Sequence, residues 1–362
     1  MERAASDHIE AFDTREQATV AVRVAKADAL ADNARPEWQK AAANGVTSPE
    51  ELLRILELDP RLPTLDYERC RKFPLRVPRG FVARMHRGDP HDPLFLQIWP
   101  AAAEAREVPG FTADAVGELG QRQPGGVIRK YYGRALVIVT GACAVNCRYC
   151  FRRHFPYGES MADNHDWQAT LDVIASDETI SEVILSGGDP LSLPDAKLAA
   201  LAAGLDVIPH VRRLRVHSRI PVVLPERVDD GLLGWLGTGH AQRIMVLHVN
   251  HAHEIDDSLA SACKRMHDAG VMLLNQSVLL RGVNDSVAAL RALSERLCDI
   301  GVVPYYLHML DRVQGAAHFE VSEARAKGLM RELVTLLPGY LMPRLVRELP
   351  GEPAKTRVTW SD

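Results

Sequence analysis

The stretch Leu136-Val137-Ile138-Val139-Thr140-Gly141-Ala142-Cys143-Ala144-Val145-Asn146-Cys147-Arg148-Tyr149-Cys150 decides how the rest of the chain is read. Its first five residues form a short aliphatic run, the pattern of a buried strand. The run empties into a loop with three cysteines spaced C-x3-C-x2-C. Six cysteines in 362 residues are too sparse for a disulfide scaffold, yet three of them crowd here. Three thiolates can hold three corners of a cubane iron–sulfur cluster, whose usual complement is four cysteines. One iron then stays open for a substrate or cofactor. Arg148, Arg152 and Arg153 are expected to bring positive charge that favours thiolate. Structural zinc is the alternative, with His154 as a fourth ligand. Zinc sites usually pair two two-ligand units, however, and Cys70, Cys263 and Cys298 stand alone. Those three read as reduced, buried thiols.

Downstream, short β-branched runs alternate with amphipathic stretches. The runs are Ala135–Thr140, Glu182–Ser186, Arg213–His217, Arg243–His248, Val271–Gln276 and Val302–His308. Helical patterns cover 166–176, 195–205, 229–237, 256–268, 287–299 and 322–336. Six such units in series predict an α/β fold, either a partial (β/α)6 barrel or a doubly wound sheet. In both, functional groups collect just beyond the strand C-termini. Those positions hold Cys143, Gly187-Gly188-Asp189, His217-Ser218-Arg219, His248-Val249-Asn250, Asn275-Gln276 and His308.

Upstream, residues 1–45 are Ala-rich and charged. Ser48-Pro49-Glu50-Glu51 reads as an N-cap, a first-turn proline and early acids opening a helix through Leu56. Pro60, Pro63, Pro74, Pro78, Pro90, Pro93, Pro100 and Pro109 limit that region to short helices. Pro124-Gly125-Gly126 marks a boundary. The expected organisation is 1–126 helical and Pro-rich, 127–345 barrel, and 346–362 a C-terminal segment.

Composition excludes several classes. The chain is 46% hydrophobic and 25% charged, so it can bury a core. No apolar run approaches the roughly eighteen residues of a spanning helix. The first thirty residues carry Glu2, Asp7, Glu10 and Asp13 and no apolar core of a signal peptide, so a cytoplasmic protein is expected. With 43 basic and 47 acidic residues, nothing points to nucleic acid or to an anionic membrane as partner.

The cysteine spacing after a first barrel strand, with Tyr149 before the last cysteine, resembles the radical SAM enzymes. The resemblance implies a [4Fe–4S] cluster on Cys143, Cys147 and Cys150 whose open iron chelates S-adenosyl-L-methionine. Ser186-Gly187-Gly188-Asp189-Pro190 is similar to that family's glycine-rich segment, where two glycines let backbone approach a ligand closely. Further stretches resemble the lysine 2,3-aminomutase family: Cys147–Phe155, Asn275–Asp285 and Pro304–His308. Leu75–Pro78, Asp311–Phe319 and Gly351–Thr356 resemble its branch that makes (R)-β-lysine for elongation factor P. The resemblance runs from about residue 48 to 357.

That family also uses pyridoxal phosphate, held by a lysine. Of eight lysines, Lys355 lies in the matching Gly/Pro segment, although Pro350-Gly351 stands where the branch has Gly-Gly. Lys130, Tyr131 and Arg134 match positions around the pyridoxal phosphate. His248, His251 and His253 also look like a metal cluster, but without Cys partners or an i, i+4 pair they are expected, with Asn250 and Gln276, as a polar shell around the adenosyl group. Arg152 matches the arginine that binds the α-carboxylate of L-lysine. Asp311 and Glu348 match the acids that hold its far ammonium; the free-lysine enzymes have Asp at the second position, and Tyr where this chain has His308. The implied reaction moves the 2-amino group of L-lysine to C3 with a 5′-deoxyadenosyl radical, an isomerase activity. The implied partners are a flavodoxin-like electron donor, elongation factor P and its lysyl ligase. Two alternatives stay open: a catabolic lysine or glutamate aminomutase, and a zinc-stabilised barrel that catalyses nothing.

Overall fold

Alternation of apolar and hydrogen-bonding chemistry along the chain sets the elements. In the computed structural model, which describes residues 35–61, 73–160 and 167–360, all six apolar runs are strands. A short antiparallel lead-in, β1 (Arg122–Gln123) and β2 (Val127–Ile128), precedes them. The six are β3 (Arg134–Thr140), β4 (Glu182–Gly187), β5 (Arg213–Ser218), β6 (Gln242–Leu247), β7 (Met272–Val278) and β8 (Val303–His308). The helices after them span Gln168–Ala175, Asp195–Asp206, Asp230–Leu236, Asp257–Asp268, Val287–Asp299 and Glu323–Leu333. Side-chain caps start four of these: Asp229, Asp256, Ser286 and Ser322 each accept a first-turn backbone N–H. Such a cap contributes about 1 kcal/mol.

Strand order settles the choice left open between barrel and doubly wound sheet. The strands pair strictly in sequence order, parallel from β3 onward. A doubly wound sheet would reverse at a switch point. Here none occurs, and the two outer strands are not paired to each other, so the sheet is a partial barrel. It is also longer than expected. Arg344–Arg347 (β9) adds a seventh parallel strand, and Thr356–Arg357 (β10) folds back antiparallel on it. Only Leu345 and Val346 are apolar in β9, too short a run to show a period.

Helix faces behave as their spacing predicts. Leu290, Leu293 and Leu297 are buried along one stripe, each worth about 1.5–3 kcal/mol of burial. Cys298 lies one residue off that stripe and is exposed, so its expected burial is overturned; Cys263 is buried as expected. Cys70 lies outside the described residues. Ser48 caps Pro49–Ile55 as read, and Arg79–Val82 and Pro93–Leu96 are single-turn helices in the Pro-rich region. The described residues from Gly45 onward form one compact unit; the helix Glu37–Ala43 belongs to another. No helix among the described residues is long and apolar enough to cross a membrane.

Candidate active site

The cysteine loop is fixed from outside the barrel. Asn146 N–H donates to Arg76 O at 3.1 Å and Arg148 N–H to Gln97 O at 2.9 Å. Arg148 is fully buried, with Nε and Nη2 on Glu104 at 2.7 and 2.6 Å. Arg153 pairs with the same carboxylate, and Arg152 with Glu118. The three arginines expected to charge the loop are thus each matched by an acid. The cation that reaches a cysteine sulfur is Arg219, whose Nη1 lies 2.8 Å from Cys147 Sγ.

The donor set suits a cluster. Burial, Asp189 and the other two cysteines push the Cys143 thiol well up. Burial and Cys147 push Cys150 up to about 11, against a smaller pull from Arg152 and Arg153. Shared metal ions would relieve this crowding, since a coordinated thiol gives up its proton. Among the described residues, His86, Asp92 and His253 alone bring three His, Cys, Asp or Glu ligand atoms within 4.8 Å of one another. The three sulfurs therefore spread wider than the edges of about 3.8 Å that a tetrahedral zinc imposes. A cubane ligated at separate corners requires no such close approach. His154, the fourth ligand that the zinc alternative needs, is exposed, and its Nε2 meets Gln314 O at 3.1 Å.

Beyond β4, the glycines serve a tighter contact than a ligand alone requires. Gly187 has φ +134°, and a Cβ there would lie 2.3 Å from Thr140 O; one on Gly188 would lie 2.5 Å from Ala142 O. Gly188 N–H and Asp189 N–H donate to Thr140 O and Ala142 O. The segment is pressed backbone-to-backbone on the cysteine loop. Asp189 is buried and accepts from Ser218 Oγ and from the N–H groups of Leu191, Arg219 and Ile220. It ties the end of β4 to the end of β5. Ser186 Oγ accepts from Arg152 Nη1 at 2.7 Å.

The polar face of the strands continues inward. Gln276 Nε2 donates to His248 Nε2 at 2.9 Å, and the His217 and His248 rings lie edge to face at 5.8 Å. Burial keeps His248 neutral, down to about 3, and holds His217 and His308 well below their ordinary value. Asn250 is spent on scaffold: its amide bonds Gln97, Tyr149 and the Val278 N–H. His251 and His253 leave the expected shell and stack near His86, 4.9 Å from the His253 ring.

Deeper still, Glu348 accepts from both Lys130 Nζ and Lys355 Nζ. Burial pushes its carboxyl up, but the two ammonium groups outweigh that and hold it at about 2. Asp311 is pushed up to about 7 by burial and by Glu348. Arg134 is exposed, its guanidinium 5.6 Å over the Tyr131 ring. Pro350 packs where a Cβ on Gly117 would be 3.1 Å away, so the proline in the lysine segment is accommodated opposite a glycine. Four buried atoms here have no partner: Tyr131 Oη, His217 Nε2, His308 Nε2 and Asp311 Oδ1. Orphaned buried groups cost about 1–3 kcal/mol each. A polar ligand that meets them, such as a pyridine ring with a phosphate and an amino acid, fits this interior.

Arg219, Glu118, Gln97 and Glu254 were missed as site residues by sequence reasoning. Arg219 showed only as a strand-end polar residue; the other three come from segments with no local motif.

Comparison with known proteins agrees with this geometry. Residues 137–235 match the model of the Radical SAM superfamily. The chain is 48% identical over 323 residues to a protein named L-lysine 2,3-aminomutase from Escherichia coli (strain K12), covering 89% of this chain and 94% of that one. The protein of the same name from Haemophilus influenzae is 45% identical, covering 88% and 94%. The one from Clostridium subterminale is 32% identical, covering 89% and 77%. The fold and the three-cysteine loop define a radical SAM protein. More narrowly, the chain belongs to the lysine 2,3-aminomutase family of radical SAM isomerases. Family membership implies a [4Fe–4S] cluster, S-adenosyl-L-methionine and pyridoxal phosphate.

Proposed function

We propose that this protein converts L-lysine to (R)-β-lysine and supplies it for modification of elongation factor P. The carrying observation is the half-buried pairing of Glu348 with Lys355 beside Asp311. The ε-ammonium of Lys355 is the same chemical group as the far end of the substrate. A carboxylate that takes the one suits the other, and a second, half-buried acid adds to the preference for a cation over glutamate.

In this reading Cys143, Cys147 and Cys150 hold the cluster. Ser186, Gly187, Gly188, Asp189, His248, Asn250 and Gln276 surround S-adenosyl-L-methionine, directly or by shaping the loops. Lys355 holds pyridoxal phosphate, with Lys130, Tyr131 and Arg134 towards its phosphate. The cofactors supply a carbon radical and a π-system to relay the migrating nitrogen, chemistry that side chains cannot perform. The chain does the rest. Arg152 orients the substrate carboxylate through the one Nη2 N–H not spent on Glu118, Ser186 or Gly187. Glu348 and Asp311 anchor the ammonium. Neutral His217 and His308 line the interior without repelling a cation. Two fixed ends hold C3 in place, where proximity contributes most. The branch assignment rests on Glu348 and His308, the departures shared with the elongation-factor branch. Reduction by a flavodoxin-like donor and a cytoplasmic setting belong to the same reading.

Chiral mass spectrometry of L-lysine incubated with reconstituted enzyme, both organic cofactors and a reductant tests it. (R)-β-lysine is expected. Mainly (S)-β-lysine sinks the branch assignment, and no β-lysine sinks the activity.

A further inference from the structure

Arg219 sits just past β5, almost fully buried, and its guanidinium is held from several sides. Nη1 donates to Cys147 Sγ and to Tyr149 Oη, both at 2.8 Å. Nη2 donates to Gln97 Oε1 at 2.7 Å and to Glu254 Oε2 at 3.1 Å. Its own N–H is fixed on Asp189 Oδ2 at 2.8 Å. The partners are themselves pinned. Glu254 is wholly buried and also accepts from the N–H groups of Asn250 and His251. Tyr149 Oη and Gln97 Oε1 both accept from Asn250 Nδ2. The rings of Phe81 and Tyr149 lie 5.4 and 5.7 Å from the guanidinium carbon. Both Nη groups are thus held, and Nε alone of the guanidinium nitrogens is without a partner.

The neighbouring arginines 148, 152 and 153 pair with acids and not with sulfur, while Arg219 pairs with Glu254 and also gives a donor to a thiol. Hydrogen bonds to ligand sulfurs are among the factors that set an iron–sulfur potential. A charged donor in a dry site makes the stronger bond.

We propose that Arg219 is a positioning residue that raises the reduction potential of the cluster through a charge-assisted hydrogen bond to Cys147. The inference rests on the reading of Cys147 as a cluster ligand. When the cluster accepts an electron, negative charge grows on its thiolate sulfurs. A fixed N–H cation then stabilises the reduced form more than the oxidised one, which eases the electron transfer on which the chemistry depends. The effect is one-sided, since Cys147 alone of the three has this partner among the contacts of Arg219.

The test is a mediated redox titration of anaerobically reconstituted enzyme, followed by the electron-spin signal of the reduced cluster, with no S-adenosylmethionine or lysine added. Iron and sulfide are counted first. The midpoint is expected to fall in Arg219→Met, with Arg219→Lys between it and the parent because charge is kept and the fork is lost. Arg219→Met with a full cluster and an unchanged or higher midpoint overturns the proposal. If Arg219→Met holds no cluster, Arg219→Lys decides by the same criterion. Loss of the cluster from both variants, with the parent loading normally, makes the role structural and also overturns it. A parent protein that takes up no iron and sulfide instead sinks the cluster reading beneath it.

Discussion

The carboxylate of Glu118 grips the guanidinium of Arg152 along one edge, Oε2 to Nε at 2.7 Å and Oε1 to Nη2 at 2.8 Å, with both side chains buried. The pair joins the Pro-rich region to the cysteine loop, two residues after Cys150. Removing one member strands a buried charge, a loss of about 3–5 kcal/mol. Glu118→Ala is expected to lose stability on that scale in urea denaturation of the metal-free protein. A loss under 1 kcal/mol would mean that water reaches Arg152.

Lys355 and the cluster are separable. Lys355→Ala should keep iron, sulfide and the broad absorbance near ~400 nm of a [4Fe–4S] protein. It should lose covalently held pyridoxal phosphate and all mutase activity. Retained activity would remove Lys355 from the reaction.

Asp311 gives a pH signature. Its folded value, near 7, is raised above the unfolded carboxyl value of about 3.9. A raised acid contributes stability that is full below about pH 4 and is lost as pH climbs to about 7. Asp311→Asn should therefore gain on the parent protein through that window and hold the gain above it. Denaturation at pH 5 and pH 8 measures the gap; a pH-independent gap contradicts the raised value. Lysine binding needs the ionised acid, so KM for lysine should fall as pH rises through about 7.

The glycine segment predicts a steric failure. Gly188→Ala puts a Cβ 2.5 Å from Ala142 O and 2.7 Å from Gly141 C, both backbone. The cysteine loop must then shift. Iron content after reconstitution should drop several-fold, while far-ultraviolet circular dichroism stays near that of the parent. Full iron occupancy would show that the loop tolerates the displacement.

Cysteine accessibility offers a direct check. Cys298 is exposed and Cys263 buried, its thiol pushed up to about 12 by burial alone. Brief alkylation of the native holoenzyme, read by peptide mass spectrometry, should mark Cys298 and spare Cys263.

Much of this was legible along the chain. Hydrophobic period located six strands and their helices to within a few residues, because a parallel strand buried on both faces has little freedom in composition. Spacing singled out the cysteine loop, because three thiols in eight residues need no distant partner to form a pattern. Resemblance pointed to Lys355 in a segment that periodicity alone would treat as a tail. The same local signals missed β9, with only two apolar residues, and misjudged Cys298, one step off a buried stripe.

What the order of residues determined by itself was the alternation of strands and helices and the clustering of three cysteines, both written in short-range patterns. Tertiary structure alone decided which charge answers which. Arg148, Arg152 and Arg153 turned to acids from the Pro-rich region, Arg219 turned to Cys147, and Glu348 came to lie between Lys130 and Lys355. Pairings of buried charges depend on which groups lose water together, and partners more than two hundred residues apart, such as Lys130 and Glu348, carry no mark of each other until the sheet has closed around them.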